Sequence, residues 1–323
     1  MPTSRRQFLA SSLAIAALAT TTSVAAACGN KKDDTKHKEP GGSGRIAALG
    51  WGDYCTLLAL GMTPVFILMP MGTDDKKDNG VGPWARDKIA GKNTTVMVAT
   101  SQEMGTDILE KIAAATPSKI IAVNAGVNDA DKKKLNSIAP TTVHPDKYAD
   151  YQVPWQAQTQ EIAKAVGQEA DGNKLVDDTT AAFEEFATKH PEMTGKKAAP
   201  VIAMHGQFAV YTGKDGRGQF IEGLGFTIPE NLNTGDNGQF YRYLSAENLS
   251  ELDELDYLFL IDYAGSDEEA KKNPLFNNVK AVKENKMWEI PHELGTAMSY
   301  PNPLTIPWAV NQFDTVVRGD GVR

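Results

Sequence analysis

Cysteine is nearly absent: Cys28 and Cys55 are the two among 323 residues, too few for a disulfide framework. Cys55 reads as a small buried apolar residue rather than a nucleophile. Basic charge is also short. Lys and Arg number 33 against 41 Asp and Glu, a formal charge of −8, so the chain lacks the basic face with which proteins neutralise phosphates, and nucleic acid is not an expected partner. The five histidines, at 37, 144, 190, 205 and 292, stand alone, without an i, i+4 pair or a nearby cysteine pair, so no dedicated metal site is expected. Neither G-x-S-x-G nor H-E-x-x-H occurs, which argues against a secreted hydrolase on an α/β scaffold. A long hydrophobic run is missing too. The stretch from Leu9 to Val24 is short and rich in Ala, Ser and Thr, whereas a spanning helix needs about 20 strongly apolar residues.

What is present begins at the N-terminus. Ser4-Arg5-Arg6-Gln7-Phe8-Leu9 resembles the twin-arginine export signal, and the small residues Ala25-Ala26-Ala27 before Cys28 resemble a lipobox. The expected organisation is therefore a signal peptide over 1–27, with Cys28 the lipidated residue; an ordinary small-residue cleavage site is the alternative. If Cys28 carries lipid, Cys55 has no intramolecular partner. Removal of residues 1–27 takes away Arg5 and Arg6 and no acid, which gives −8 − 2 = −10. Residues 28–44, mostly Lys, Asp, Gly and Ser, read as a flexible tether.

After Gly44, apolar runs alternate with helical patterns. Arg45 to Leu49, Pro64 to Leu68, Thr94 to Ala99, Lys119 to Val123 and Pro140 to Val143 predict buried strands. Asp53 to Leu60, Pro83 to Ala90, Asp107 to Ala115 and Ala130 to Ile138 predict the helices between them, which implies a doubly wound parallel sheet. Nearly everything from Pro154 to Lys189 suits helix, a length better matched to a strut than to one compact domain. Beyond Pro191, Ala199 to Met204, Phe208 to Thr212, Leu255 to Ile261 and Met287 to Pro291 predict strands, and Pro303 to Val317 a closing helix. The expectation is an α/β protein of two Rossmann-like lobes, 45–167 and 191–323, joined by one long helix over 168–190. A ligand cleft should lie between the lobes, because such sheets bind ligands beyond the carboxyl ends of their strands.

Particular segments carry a family resemblance: Ile46-Ala47-Ala48-Leu49-Gly50-Trp51-Gly52-Asp53, Leu58 to Val65, Gly82-Pro83-Trp84, Ile108 to Ala114, Ile138-Ala139-Pro140-Thr141, Trp155 to Gly167, and Pro303-Leu304-Thr305-Ile306-Pro307-Trp308. Together they resemble the iron–siderophore substrate-binding lipoproteins of bacterial ABC importers, of actinobacterial type. The resemblance implies a non-enzymatic, monomeric receptor without a cofactor, anchored by lipid to the outer face of the cytoplasmic membrane. It would capture a ferric siderophore, whose own atoms hold the iron, and deliver it to the permease and its ATPase. Haem or cobalamin is the alternative cargo.

A bulky chelate with carbonyl oxygens and apolar arms needs aromatic walls and a few fixed donors. Trp51 with Asp53, Trp84, Ser101 with Gln102, and Asn124 follow the predicted strands of the first lobe; His205, Tyr211, Tyr241, Arg242, Tyr263 and Tyr300, with Phe240 and Tyr243, occupy comparable places in the second. Arg242, flanked by rings, is the leading expectation, since a guanidinium in a partly dry site donates strongly to chelate oxygens; an exposed salt bridge is the other reading. Trp51 and Trp155 could instead be packing residues, His205 a structural histidine, Tyr211 and Tyr263 sheet caps, and Asp53 a helix cap. Glu110 and Glu247 match the family's permease-docking glutamates; helix N-terminal acids favoured by the macrodipole are the alternative.

Overall fold

A computed structural model describes residues 44–69, 80–98, 104–204 and 206–319. The expected signal peptide, the tether up to residue 43, Cys28, Ser101, Gln102 and His205 lie outside the described residues.

The first half alternates β1 (Ile46–Ala48), α1 (Asp53–Ala59), β2 (Phe66–Met69), α2 (Arg86–Ile89), β3 (Thr95–Val98), α3 (Thr106–Ala114), β4 (Lys119–Ala122), α4 (Asp129–Ile138) and β5 (Thr141–Val143). Every pairing in this sheet is parallel, in the order β3-β2-β1-β4-β5. Two helices follow, α5 (Trp155–Ala165) and α6 (Glu169–Lys189). The second half comprises β6 (Ala198–Met204), β7 (Gln207–Tyr211), α7 (Gly216–Gly223), β8 (Tyr241–Ser245), β9 (Tyr257–Ile261), α8 (Ser266–Lys271), α9 (Lys280–Lys283), β10 (Met287–Ile290), α10 (His292–Ser299) and α11 (Thr305–Val317). Its sheet runs β10-β9-β6-β7-β8. Here β10, β9 and β6 are parallel, whereas β7 and β8 pair antiparallel, so the second sheet is mixed. The architecture is the expected α/β arrangement of two sheets flanked by helices.

The helical stretch from Pro154 to Lys189 is two helices, divided at Gly167. Gly167, at φ 75°, takes the left-handed turn that glycine adopts without a Cβ penalty. The Gly167 amide donates to the Lys164 carbonyl at 3.1 Å and the Gln168 amide to the Ala163 carbonyl at 2.8 Å, a Schellman closure of α5. Helix α6 then packs back on α5, close enough that a Cβ on Gly172 would stand 2.2 Å from the Cβ of Ala163. At 21 residues, α6 is about 30 Å long at the ordinary helical rise. Its far end packs Phe183 and Phe186 against Phe220 and Phe313, at ring separations of 5.6 and 5.7 Å. There the buried His190 Nε2 meets Asp314 Oδ1 of α11 at 2.6 Å.

One apolar cluster runs unbroken through both halves, from Leu57 and Val81 to Tyr300 and Phe313. Trp84 is its seam: its ring lies 6.1 Å from that of Tyr300 and 5.4 Å from that of Trp308, and its indole N–H donates to the Tyr54 hydroxyl at 3.3 Å. Cys55 is fully buried in the same cluster, where loss of hydration pushes its thiol up to about 12 and leaves it an inert apolar side chain.

Candidate functional site

The turn after β1 is built to project one ring. Gly50 gives way to the Asp53 carboxylate, since a Cβ there would lie 2.2 Å from Asp53 Oδ2, and Gly52 caps α1 at φ 79°. Asp53, fully buried, is a tie between three segments. It accepts from the amides of Gly50 (3.1 Å), Val123 (2.8 Å) and Asn124 (3.3 Å) and from Gln158 Nε2 (2.7 Å) of α5. Burial pushes its carboxyl up to about 6, against the pull of these four donors. Gln158 also donates to the Trp51 carbonyl at 2.8 Å, and the Trp51 amide donates to the Asn124 carbonyl at 2.8 Å. The backbone of Trp51 is thus held at both ends while its half-buried ring packs 4.7 Å from that of Tyr151. Asp53 is therefore neither the cap of α1, which is Gly52, nor a residue facing the cleft.

Opposite Trp51, the second sheet supplies the rest of a cleft of about 260 Å³. Ile202 and Met204 come from β6, Ala209 and Tyr211 from β7, Tyr241 and Tyr243 from β8 with Phe240 just before it, Tyr263 from beyond β9, and Arg217 from α7. Strand alternation explains the membership. Tyr211 pairs with Tyr241 and Ala209 with Tyr243, so these four side chains share one face, while Val210 and its partner Arg242 share the other. The rings of Tyr241 lie 6.2 Å from Tyr211, 5.1 Å from Tyr243 and 5.4 Å from Phe240, all edge to face.

Arg217 is the cation of this cleft. It is 5 % exposed, and its guanidinium carbon sits 4.1 Å above the Tyr211 ring. Asp215 caps α7 by accepting from the Arg217 amide at 2.8 Å, and both of its carboxylate oxygens lie 3.0 Å from Arg217 Nη1. Arg217 Nε is buried without a partner among the described residues. Two glycines fix this helix start: a Cβ on Gly216 would meet the Ser299 carbonyl oxygen at 2.3 Å, and one on Gly218 the Thr212 carbonyl oxygen at 2.0 Å. Burial raises the Tyr211 and Tyr263 hydroxyls above their ordinary range, so both stay protonated donors at neutral pH.

Six of the sequence-based expectations therefore converge on the cleft: Trp51, Tyr211, Tyr241, Tyr263 and, less prominently expected, Phe240 and Tyr243. Five others stand elsewhere. Arg242 donates to the Asn231 carbonyl at 2.7 Å and pairs with Glu251 at 2.8 Å on the far face of β8, because the residue between two cleft-facing tyrosines must point away. Trp84 is 7 % exposed in the seam between the halves. Tyr300, 1 % exposed, belongs to the same seam. Asn124, at 6 %, lies behind Trp51, its Nδ2 3.4 Å from the Trp51 carbonyl oxygen. Trp155 is also packed away, 4 % exposed and 6.4 Å from the Phe183 ring.

Arg217 was not anticipated. The usable signal was Asp215-Gly216-Arg217-Gly218 after a predicted strand, a helix start with glycines on both sides of a cation. Of the two expected docking acids, both exposed, Glu247 stands in the first turn of a 3₁₀ segment (Ala246–Glu254), as a helix N-terminal acid would. Glu110 stands mid-helix in α3, where the macrodipole offers little.

A larger groove, about 520 Å³, lies beside the α5–α6 hairpin and is lined by Trp155, Phe183 and Glu222 among others. It flanks the connecting helix rather than the strand ends, so the smaller cleft has the position expected of a ligand site. Among the described residues, no three His, Cys, Asp or Glu side chains converge as metal ligands, and no helix is long and apolar enough to cross a membrane.

Comparison with known proteins places this arrangement. The chain is 29 % identical over 245 residues, 73 % of its own length and 70 % of the relative's, to the Fe(3+)-citrate-binding protein YfmC of Bacillus subtilis. The structure is similar to that of PiaA from Streptococcus pneumoniae in complex with ferrichrome, with a TM-score of 0.72 and 26 % identity over 85 % of this chain and 92 % of that one. It is equally similar to a periplasmic solute binding protein of Mycobacterium smegmatis, with a TM-score of 0.72 and 25 % identity over 86 % and 93 %. The family described as periplasmic binding protein matches residues 46–294, and this chain belongs to it.

Proposed function

We propose that this protein is the extracytoplasmic receptor of an ABC importer, and that it captures a ferric siderophore in the cleft between Trp51 and the Tyr211–Tyr241–Tyr243 wall. The observation that carries the reading is the combination of a ring-lined cleft with one buried, partly unsatisfied guanidinium at its floor. Rings pack against the apolar arms of a chelate, and Arg217 and the tyrosine hydroxyls donate to its oxygens. Sub-micromolar capture requires roughly −8 kcal/mol. Desolvated cation–π or charge-assisted contacts supply about 2 kcal/mol each, so a few of them suffice once ordering costs are met. Relatives whose names state iron-citrate or ferrichrome binding support the same cargo class.

Export by the paired arginines, a lipid on Cys28, action as a monomer without a cofactor, and docking of Glu110 and Glu247 to the permease complete the proposal. So does a division into lobes over 45–167 and 191–323 with 168–190 as the bridge. Both glutamates are exposed, as docking requires. The test is a fluorescence titration of the purified protein with ferric chelates: Trp51 in the cleft wall predicts saturable quenching by at least one. Silence across hydroxamate, catecholate, citrate, haem and cobalamin ligands would overturn the reading.

A further inference from the structure

We propose that the cleft selects an uncharged ferric chelate of the tris-hydroxamate type and rejects polyanionic iron complexes; this rests on the ferric-siderophore reading above. Among the described residues lining the cleft, Arg217 is the one with a charged side chain, and its charge is already matched. Asp215, 2 % exposed, presents both oxygens 3.0 Å from Arg217 Nη1 directly behind the floor. The pair therefore offers a ligand a directed dipole and no net positive charge.

A chelate carrying three negative charges would shed its hydration on entry without meeting a net countercharge among the described residues, and removing an ion from water without such a match is costly. Ring contacts, each individually much weaker than that penalty, do not offset it. The chain's formal charge of −8 adds long-range repulsion of anions. An uncharged chelate meets none of these costs. Its carbonyl and N–O oxygens need donors, and Arg217 Nε is a buried donor without a partner among the described residues. The Tyr211 hydroxyl, neutral at working pH, donates without adding charge.

The test is a calorimetric titration of the full chain with three probes: ferrichrome as the uncharged trihydroxamate, ferric citrate, and a trianionic ferric tris-catecholate. The expected result is that ferrichrome binds at least about 100-fold more tightly than either anion, with an affinity insensitive to salt. Equal or tighter binding of the citrate or catecholate complex overturns the proposal while leaving the cleft a ferric-chelate site. Binding of none of the three overturns the proposal through the reading beneath it. Asp215→Asn provides a second arm, because Asn caps a helix as well as Asp and frees the Arg217 charge. It should shift the preference toward the anions by about tenfold or more. An unchanged ratio in a variant with wild-type circular dichroism contradicts the charge-matching argument.

Discussion

Tyr241 and Arg242 are adjacent in the chain and opposite in consequence, because β8 turns one toward the cleft and the other toward Glu251. Tyr241→Ala should weaken chelate binding by about tenfold or more, roughly 1.4 kcal/mol, through loss of a ring that touches three others. Arg242→Gln should leave affinity within about twofold of wild type. Titration of both variants checks the strand register; the reverse pattern would contradict it. A local sequence reading identifies Phe240-Tyr241-Arg242-Tyr243 as a cluster of ligand-type residues. Only the pairing with β7 decides which of them face the cleft. Arg217 was overlooked for a related reason: Asp215-Gly216-Arg217-Gly218 marks a helix start, but the packing of Tyr211 and the Ser299 carbonyl around it lies outside the local sequence.

Asp53 makes a second residue-scale prediction. Its folded pKa of about 6 lies above the value of 3.8 for an exposed aspartate. The folded state thus binds the proton more tightly than the unfolded chain does. The associated stability is fully present below pH 3.8 and is lost as pH rises through about 6. Between pH 7 and pH 5, the wild type should gain about 1 kcal/mol relative to Asp53→Asn in chemical denaturation. Parallel pH dependences for the two proteins would contradict this assignment.

At the scale of elements, the α5–α6 hairpin fixes the site from below. Helix α5 delivers Gln158 to the Trp51 turn, and α6 carries the chain to the second sheet. Their close approach rests on Gly172, which leaves room for Ala163. Gly172→Ala should destabilise the protein by about 1–3 kcal/mol, overcoming the roughly 1 kcal/mol that alanine contributes to a helix interior. Denaturation midpoints check this, and a stabilised variant would refute the tight contact. Most strands and helices of the first sheet were legible because parallel strands buried on both faces are continuous apolar runs. Strand β8 was not, since an edge strand with alternating aromatic and charged residues has the composition of a binding loop. Gly167 marks the division between the two helical stretches in the sequence, whereas the way α6 packs back on α5 depends on contacts between the helices.

At the scale of the molecule, the two sheets share one apolar cluster, so the halves are built to stay together rather than to hinge widely. Trp84, expected in the cleft, serves that seam. Trp84→Ala should cost about 3–5 kcal/mol of stability, as other large-to-small core changes do, while the folded protein retains chelate binding. A loss of binding without loss of stability would return Trp84 to the cleft.

The central claim, that a ferric chelate is held between Trp51 and the tyrosine wall above Arg217, is tested most directly by locating the iron. Crystals grown with ferrichrome and measured at the iron absorption edge should show one anomalous peak in that cleft, flanked by the rings of Trp51, Tyr211 and Tyr241. A peak in the groove beside Trp155 and Phe183, or none in crystals of protein that binds the chelate in solution, would contradict the account.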